Sequence, residues 1–167
     1  MIKKNLFLLI ATLTVLTSCK TTAPNLDYQS IAKAALITGI ELGPQDNHKL
    51  YINSAQWIGT PYRNGGKARS GVDCSGFTQQ IYSSTFRKNL KRNTEGQLKQ
   101  VKKIRKSNLQ EGDLVFFSNQ YSKRKVGHVG IYLKDGYFIH ASSSKGVMIS
   151  HLQEDYYKKH WLSGGRL

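Results

Sequence analysis

Cys74 stands in "SGVDCSGF", residues 70–77, between an aspartate and a serine, with Gly71 and Gly76 nearby. A reactive thiol attacks as the thiolate, so it needs surroundings that favour the anion. A helix N-terminus supplies unpaired N–H groups and the positive end of the helix dipole. The pattern predicts a helix that starts near Asp73, a favoured N-cap type, and runs to about Phe86. Phe77 and Ile81 then share the inward face with Cys74. The two glycines leave space for the turn and for a substrate backbone. Asp73 would oppose the thiolate if it pointed at the sulfur, so its carboxylate is expected to face the loop or the substrate.

A thiol nucleophile also needs a base, and the base needs an orienting partner. His128 and His140 are the candidates among five histidines. Both fall on predicted strands that meet at Lys134-Asp135-Gly136. A two-residue turn would pair Lys134 with Tyr137 and send the imidazoles to opposite faces. A three-residue loop would pair Leu133 with Tyr137, set His140 opposite Gly130, and bring it diagonal to His128. Asp-Gly suits that loop as a type I turn with Gly136 left-handed in a bulge. The second register is the one expected here. His48, His151 and His160 lack metal-ligand spacing with Cys74, so neither metal nor cofactor is expected.

The elements that must hold these residues read as helices first and strands second. "YQSIAKAALITGIELG" (28–43) is partly helical and is expected to stop at Gly43-Pro44. "HKLYINSAQWIG" (48–59) has amphipathic spacing and ends at Gly59. "TPYRNGGKARSG" (60–71) is a loop, and "TEGQLKQ" (94–100) a short helix. Strands are expected at 114–117, 128–134, 137–141 and 147–150, then a short helix around 153–159 and a final strand near Trp161. This order indicates an α+β fold, with N-terminal helices packed on an antiparallel sheet.

The chain has 167 residues, suited to one domain, and a net charge of +15. So much positive charge implies an anionic partner: nucleic acid, anionic lipid or an acidic wall polymer. The first residues narrow this. Lys3 and Lys4 precede an apolar stretch, Leu6 to Leu16, too short to span a bilayer comfortably. "LTSC" follows, like the cleavage site of a bacterial lipoprotein signal, which makes Cys19 a lipidated N-terminus. The expected organisation is a signal peptide at 1–18, a lipidated tether and N-terminal segment at 19–47, and a catalytic domain at 48–167. Export argues against a nucleic-acid partner. It also leaves Cys74 as an unpaired thiol in a compartment where disulfides form.

These residues together resemble the NlpC/P60 family of papain-like cell-wall peptidases. The likeness runs through "GTPYRNGG" (59–66), "GVDCSGF" (71–77), "NTEGQ" (93–97), "LQEGDLVFF" (109–117), "GHVGIYL" (127–133) and "FIHASSSKGVMIS" (138–150). The resemblance implies a helix-borne nucleophile at Cys74, a base at His128 and a third polar residue at His140. It implies that Tyr62 lines the site and supports the oxyanion. Asp73 and Ser75 match positions that help bind a substrate amine, and Arg63 matches the arginine of the loop motif. The implied reaction is hydrolysis of an amide in peptidoglycan stem peptides, usually the γ-D-glutamyl bond to the diamino acid. The implied setting is the cell envelope, with the lipid anchor on the outer membrane facing the periplasm, consistent with Lys20 after Cys19.

Two other readings fit parts of the sequence. A Cys-His amidase, thioesterase or acyltransferase on lipid-linked substrates would suit the lipid anchor, but no apolar lid segment is evident. A non-catalytic lipoprotein that binds wall would use the basic runs "RKNLKR" (87–92) and "KQVKKIRK" (99–106). Those runs also read as a solvated surface.

Overall fold

The run Leu114–Phe117 is apolar without alternation because both of its faces are covered. All four side chains are fully buried. Leu114 and Phe116 join the core formed with the helices, while Val115 and Phe117 pack with Phe138, Leu152 and Tyr157. The computed structural model describes residues 27–119 and 122–167. The segment expected to be a signal peptide, Cys19 and the first part of the expected tether lie outside the described residues.

In chain order the elements are α1 (Tyr28–Thr38), α2 (His48–Ala55), β1 (Lys67–Ala68), β2 (Gly71–Val72), α3 (Cys74–Phe86), α4 (Thr94–Gln100) and β3 (Lys102–Ile104). A 3₁₀ turn (Lys106–Asn108) leads to β4 (Leu114–Asn119), β5 (Ser122–Tyr132), β6 (Tyr137–Ser142), β7 (Gly146–His151), α5 (Asp155–His160) and β8 (Trp161–Arg166). Six strands form an antiparallel sheet in the order β3-β8-β4-β5-β6-β7, and β1 pairs with β2 separately. The core of the helical face includes Leu50 and Tyr51 of α2 and Phe77 and Ile81 of α3; Tyr157 of α5 packs on the other face. This is the expected α+β fold.

Some element ends differ from the sequence expectation. Helix α1 stops at Gly39, not at Gly43-Pro44. Gly39 is left-handed (φ 67°) and its N–H donates to Ala35 C=O at 2.9 Å, which closes the helix at the first glycine able to do so. Helix α2 ends at Ala55 and continues as turns to Gly59. Strand β3 was not expected, because "KKI" has no strand pattern of its own; it exists through its pairing with β8.

The β5–β6 register is the three-residue one. Ile131 pairs with Ile139 and Tyr132 with Phe138, which sets Leu133 against Tyr137. The turn chemistry differs from a type I turn: Asp135 (φ 53°) and Gly136 (φ 85°) are both left-handed. Tyr137 N–H donates to Lys134 C=O, and Leu133 N–H donates to Tyr137 C=O. The turn thus has the primed hand, which follows strand twist, and the extra residue is absorbed at Leu133-Lys134.

Candidate active site

Asp73 begins α3 as its N-cap, with Oδ1 accepting the Gly76 N–H at 2.7 Å. The carbonyl of Gly66 lies where a side chain at residue 76 would go, so Gly76 lets the 60–66 loop rest directly on the first helical turn. Gly65 N–H donates to Asp73 Oδ2 at 2.8 Å, and Arg63 N–H to Val72 C=O at 3.1 Å. These bonds hold Tyr62 beside the helix end. Arg92 closes the other side. Its Nη2 donates to Asp73 Oδ2 at 2.7 Å, and its Nη1 to Asp73 Oδ1 and Ser75 Oγ, both at 2.9 Å. Fully buried Gln97 ties the segment down through Ser75 C=O and Lys91 C=O.

The Cys74 side chain is nearly enclosed, and burial pushes its thiol up. The Thr94 hydroxyl, 3.7 Å from the sulfur, and the N–H groups of Val129 and Ser75 act in the other direction, while Asp73 adds to the rise. The net sign is opposite to that expected from a helix end alone, because desolvation outweighs these donors. Burial would also raise Asp73. Its bonds to Arg92, Gly76 and Gly65 prevail and hold the carboxyl below the usual range.

The Val129 contact brings β5 against the sulfur, and His128 is the preceding residue. His128 Nε2 lies 2.9 Å from His140 Nδ1, with the rings at 90°. Burial lowers His128 to about 4. Burial, and then His128 itself, hold His140 well below the ordinary histidine value. Both rings are therefore neutral at pH 7. His140 Nε2 faces the Tyr157 hydroxyl at 3.0 Å and Ser150 Oγ at 3.3 Å.

A cleft of about 580 Å³ is lined by Tyr62, His128, His140, Ser150 and Tyr157, among others. The Tyr62 phenol is raised by burial and then by Cys74 and Asp73. Arg63 is not part of the lining; it is exposed, and its aliphatic stem covers Gly71. Asp73 and Ser75 flank the thiol, but both are buried and bound to Arg92. Sequence reasoning singled out neither Arg92 nor Thr94 individually, although Thr94 begins "TEGQ". It also missed Ser150 and Tyr157, whose contacts with His140 depend on β7 and α5 folding back beside β6. Among the described residues no group of three or more His, Cys, Asp or Glu side chains is placed to hold a metal.

The NlpC/P60 family model matches residues 59–166. The probable endopeptidase NlpC homolog of Haemophilus influenzae is 43% identical over 112 residues, covering 67% of this chain and 58% of the relative. The murein DD-endopeptidase MepS/murein LD-carboxypeptidase of Escherichia coli is 42% identical over 113 residues, covering 68% and 58%. A crystal structure of an NlpC/P60 family protein from Bacillus cereus superposes with a TM-score of 0.67 at 31% identity, over 75% of this chain and 41% of that one. The matched region thus spans little more than half the length of these two curated relatives.

Proposed function

The chain belongs to the NlpC/P60 family, and from that premise we propose that it hydrolyses amide bonds in peptidoglycan stem peptides through an acyl-enzyme on Cys74. The observation that carries this reading is the paired imidazoles of His128 and His140 at a cleft beside a helix-borne thiol. His128 Nε2 is committed to His140, so Nδ1 is the nitrogen that takes the thiol proton. The sulfur attacks the substrate carbonyl carbon as that proton leaves, which suits a thiol raised by burial. Backbone N–H groups at the start of α3, with Tyr62, receive the oxyanion. His128 then protonates the departing amine. It next takes a proton from water, whose oxygen attacks the thioester, and the carboxylate product leaves with the thiol restored.

The bond proposed is the γ-D-glutamyl link to the diamino acid, as the family resemblance implies. The name of the E. coli relative points to D,D bonds in that protein. Mass analysis of wall digests separates the two. Wild-type protein is expected to release new amines from purified wall, and Cys74→Ala at least a thousandfold fewer (an order-of-magnitude expectation). Equal release by both would overturn the assignment of the nucleophile. A wild-type protein that releases none would remove the peptidase reading.

The proposed setting is the envelope, with Cys19 carrying the lipid. The order of positive charge, apolar stretch, small residues and cysteine supports this. Cys19→Ala should move the protein from the membrane fraction to the soluble one; unchanged fractionation would count against the anchor.

A further inference from the structure

The histidine pair works as a base only in one of its two proton arrangements. If His140 carries its proton on Nε2, its Nδ1 accepts from His128 Nε2–H, and His128 Nδ1 is free to receive the thiol proton. If His140 carries its proton on Nδ1, that N–H donates to His128 Nε2. Neutral His128 is then protonated on Nδ1, and the base is blocked. Whatever faces His140 Nε2 selects between these states.

Among the described residues that nitrogen faces two hydroxyls and no carboxylate. Tyr157 OH is 3.0 Å away and Ser150 Oγ 3.3 Å, and Ser150 Oγ donates to Tyr157 OH at 3.4 Å. Tyr157 is 9% exposed, and its ring is clamped against Phe117 (centroids 5.0 Å), Phe138 (4.8 Å) and His140 (5.5 Å). The phenol is brought to His140 by packing of α5, an element separate from those that carry Cys74, His128 and His140.

We propose that Tyr157 is a positioning residue: its hydroxyl accepts the His140 Nε2–H and so holds the histidine pair in the arrangement that leaves His128 able to take the Cys74 proton. Ser150 supports it from β7 by donating to the phenol oxygen. This rests on the thiol–imidazole assignment above and not on which wall bond is cut.

The test uses the full chain and two readouts that need no wall substrate. Nitrogen NMR of ¹⁵N-histidine-labelled protein at pH 7.5 reports the tautomers. His140 is expected to be protonated on Nε2 and His128 likewise, with both Nδ1 atoms unprotonated. Tyr157→Phe keeps the ring and removes the hydroxyl. It should give a mixture of His140 tautomers and slow Cys74 alkylation by iodoacetamide roughly tenfold, within the range that outer-shell partners show elsewhere. If the protein cleaves wall, kcat should fall by a similar factor with KM within about twofold. Should Tyr157→Phe fail to fold, 3-fluorotyrosine at the same position keeps the packing but weakens the oxygen as an acceptor, and should give a smaller loss of the same kind. A His140 proton found on Nδ1 in the wild-type protein overturns the proposal. So does a folded Tyr157→Phe protein with unchanged tautomers and alkylation. Loss of wall cleavage as an activity, with alkylation still dependent on Tyr157, removes the substrate reading and leaves the positioning role intact.

Discussion

On the helix side of the site, formal charges lie next to the thiol. Asp73 and Arg92 are joined by two short bonds, and the carboxylate also takes two backbone N–H groups. On the sheet side His128, His140, Ser150 and Tyr157 form a chain of polar side chains, all neutral at pH 7, backed by Phe117 and Phe138. The contrast follows from what each side has to do. The helix side must hold a backbone turn still, and a charged group with every lone pair occupied does that well. In the proposed mechanism the sheet side lets a proton come and go, so its members need to be neutral and able to exchange donor and acceptor roles. A fixed carboxylate next to His140 would favour the imidazolium at rest; a hydroxyl leaves the histidines neutral until, in that mechanism, the thiol gives up its proton.

The largest effect of a single substitution on stability should come from breaking the charged side. Arg92→Ala leaves the Asp73 carboxylate, only 10% exposed, without its cation. Arg92 is itself a third exposed, so water recovers part of the loss, and a cost of roughly 2–3 kcal/mol in urea denaturation is expected, below the full penalty for a buried pair. Adding Asp73→Asn should restore some of it, because an amide tolerates the site better than an orphaned charge. If Arg92→Ala costs less than about 0.5 kcal/mol, the ion pair behaves as an ordinary surface pair and the contrast collapses on this side.

The neutral side is tested by acid. The ordinary histidine value is 6.5, and burial takes His128 to about 4. Between these values the unfolded chain binds a proton that the folded chain does not. The stability held by the neutral ring is therefore complete above pH 6.5 and declines as pH falls towards 4, by at most about 3 kcal/mol for this residue. Asp73 is also held below its ordinary value, but there it is the charged form that the fold favours, so its contribution stays in place over that window and is lost only at lower pH. Urea midpoints measured from pH 7 to 4.5 should fall in the wild-type protein and fall less in His128→Gln. Identical slopes would mean that the imidazole is wetter than the structure implies.

Which parts of this contrast were legible in the sequence follows from the range of the interactions. Helix α3 and its Asp73 cap were legible because cap, glycines and apolar spacing lie within one segment. The β5–β6 register was legible because the placement of two histidines and one Asp-Gly pair left two options. The turn inside it was not, since Asp135 takes a left-handed conformation that its residue type permits but does not require. Arg92 sits in a basic run that reads as solvated surface, and only the fold of the 87–93 segment brings its guanidinium to Asp73. Tyr157 lies in "EDYYKKH", where nothing separates it from exposed Tyr156 until α5 is placed on the sheet. The sign of the Cys74 shift was likewise out of reach: it depends on how completely the sulfur is enclosed.

The smallest expected effect sharpens the border between the two sides. Thr94 belongs to neither, yet its hydroxyl is 3.7 Å from the sulfur and works against the rise caused by burial. Thr94→Val is close to isosteric, sits in the first turn of α4 and leaves the Asn93 cap in place, so stability should change by less than about 1 kcal/mol. Losing a weak donor to the thiolate should raise the thiol further and slow alkylation at pH 8 by roughly threefold to tenfold, with the pH profile displaced upward. An unchanged profile would assign the stabilisation of the anion to the N–H groups of Val129 and Ser75, one from the sheet and one from the helix. The thiol would then be tuned by the backbone where sheet and helix meet, and the polar side chains around it would act on position and proton transfer alone.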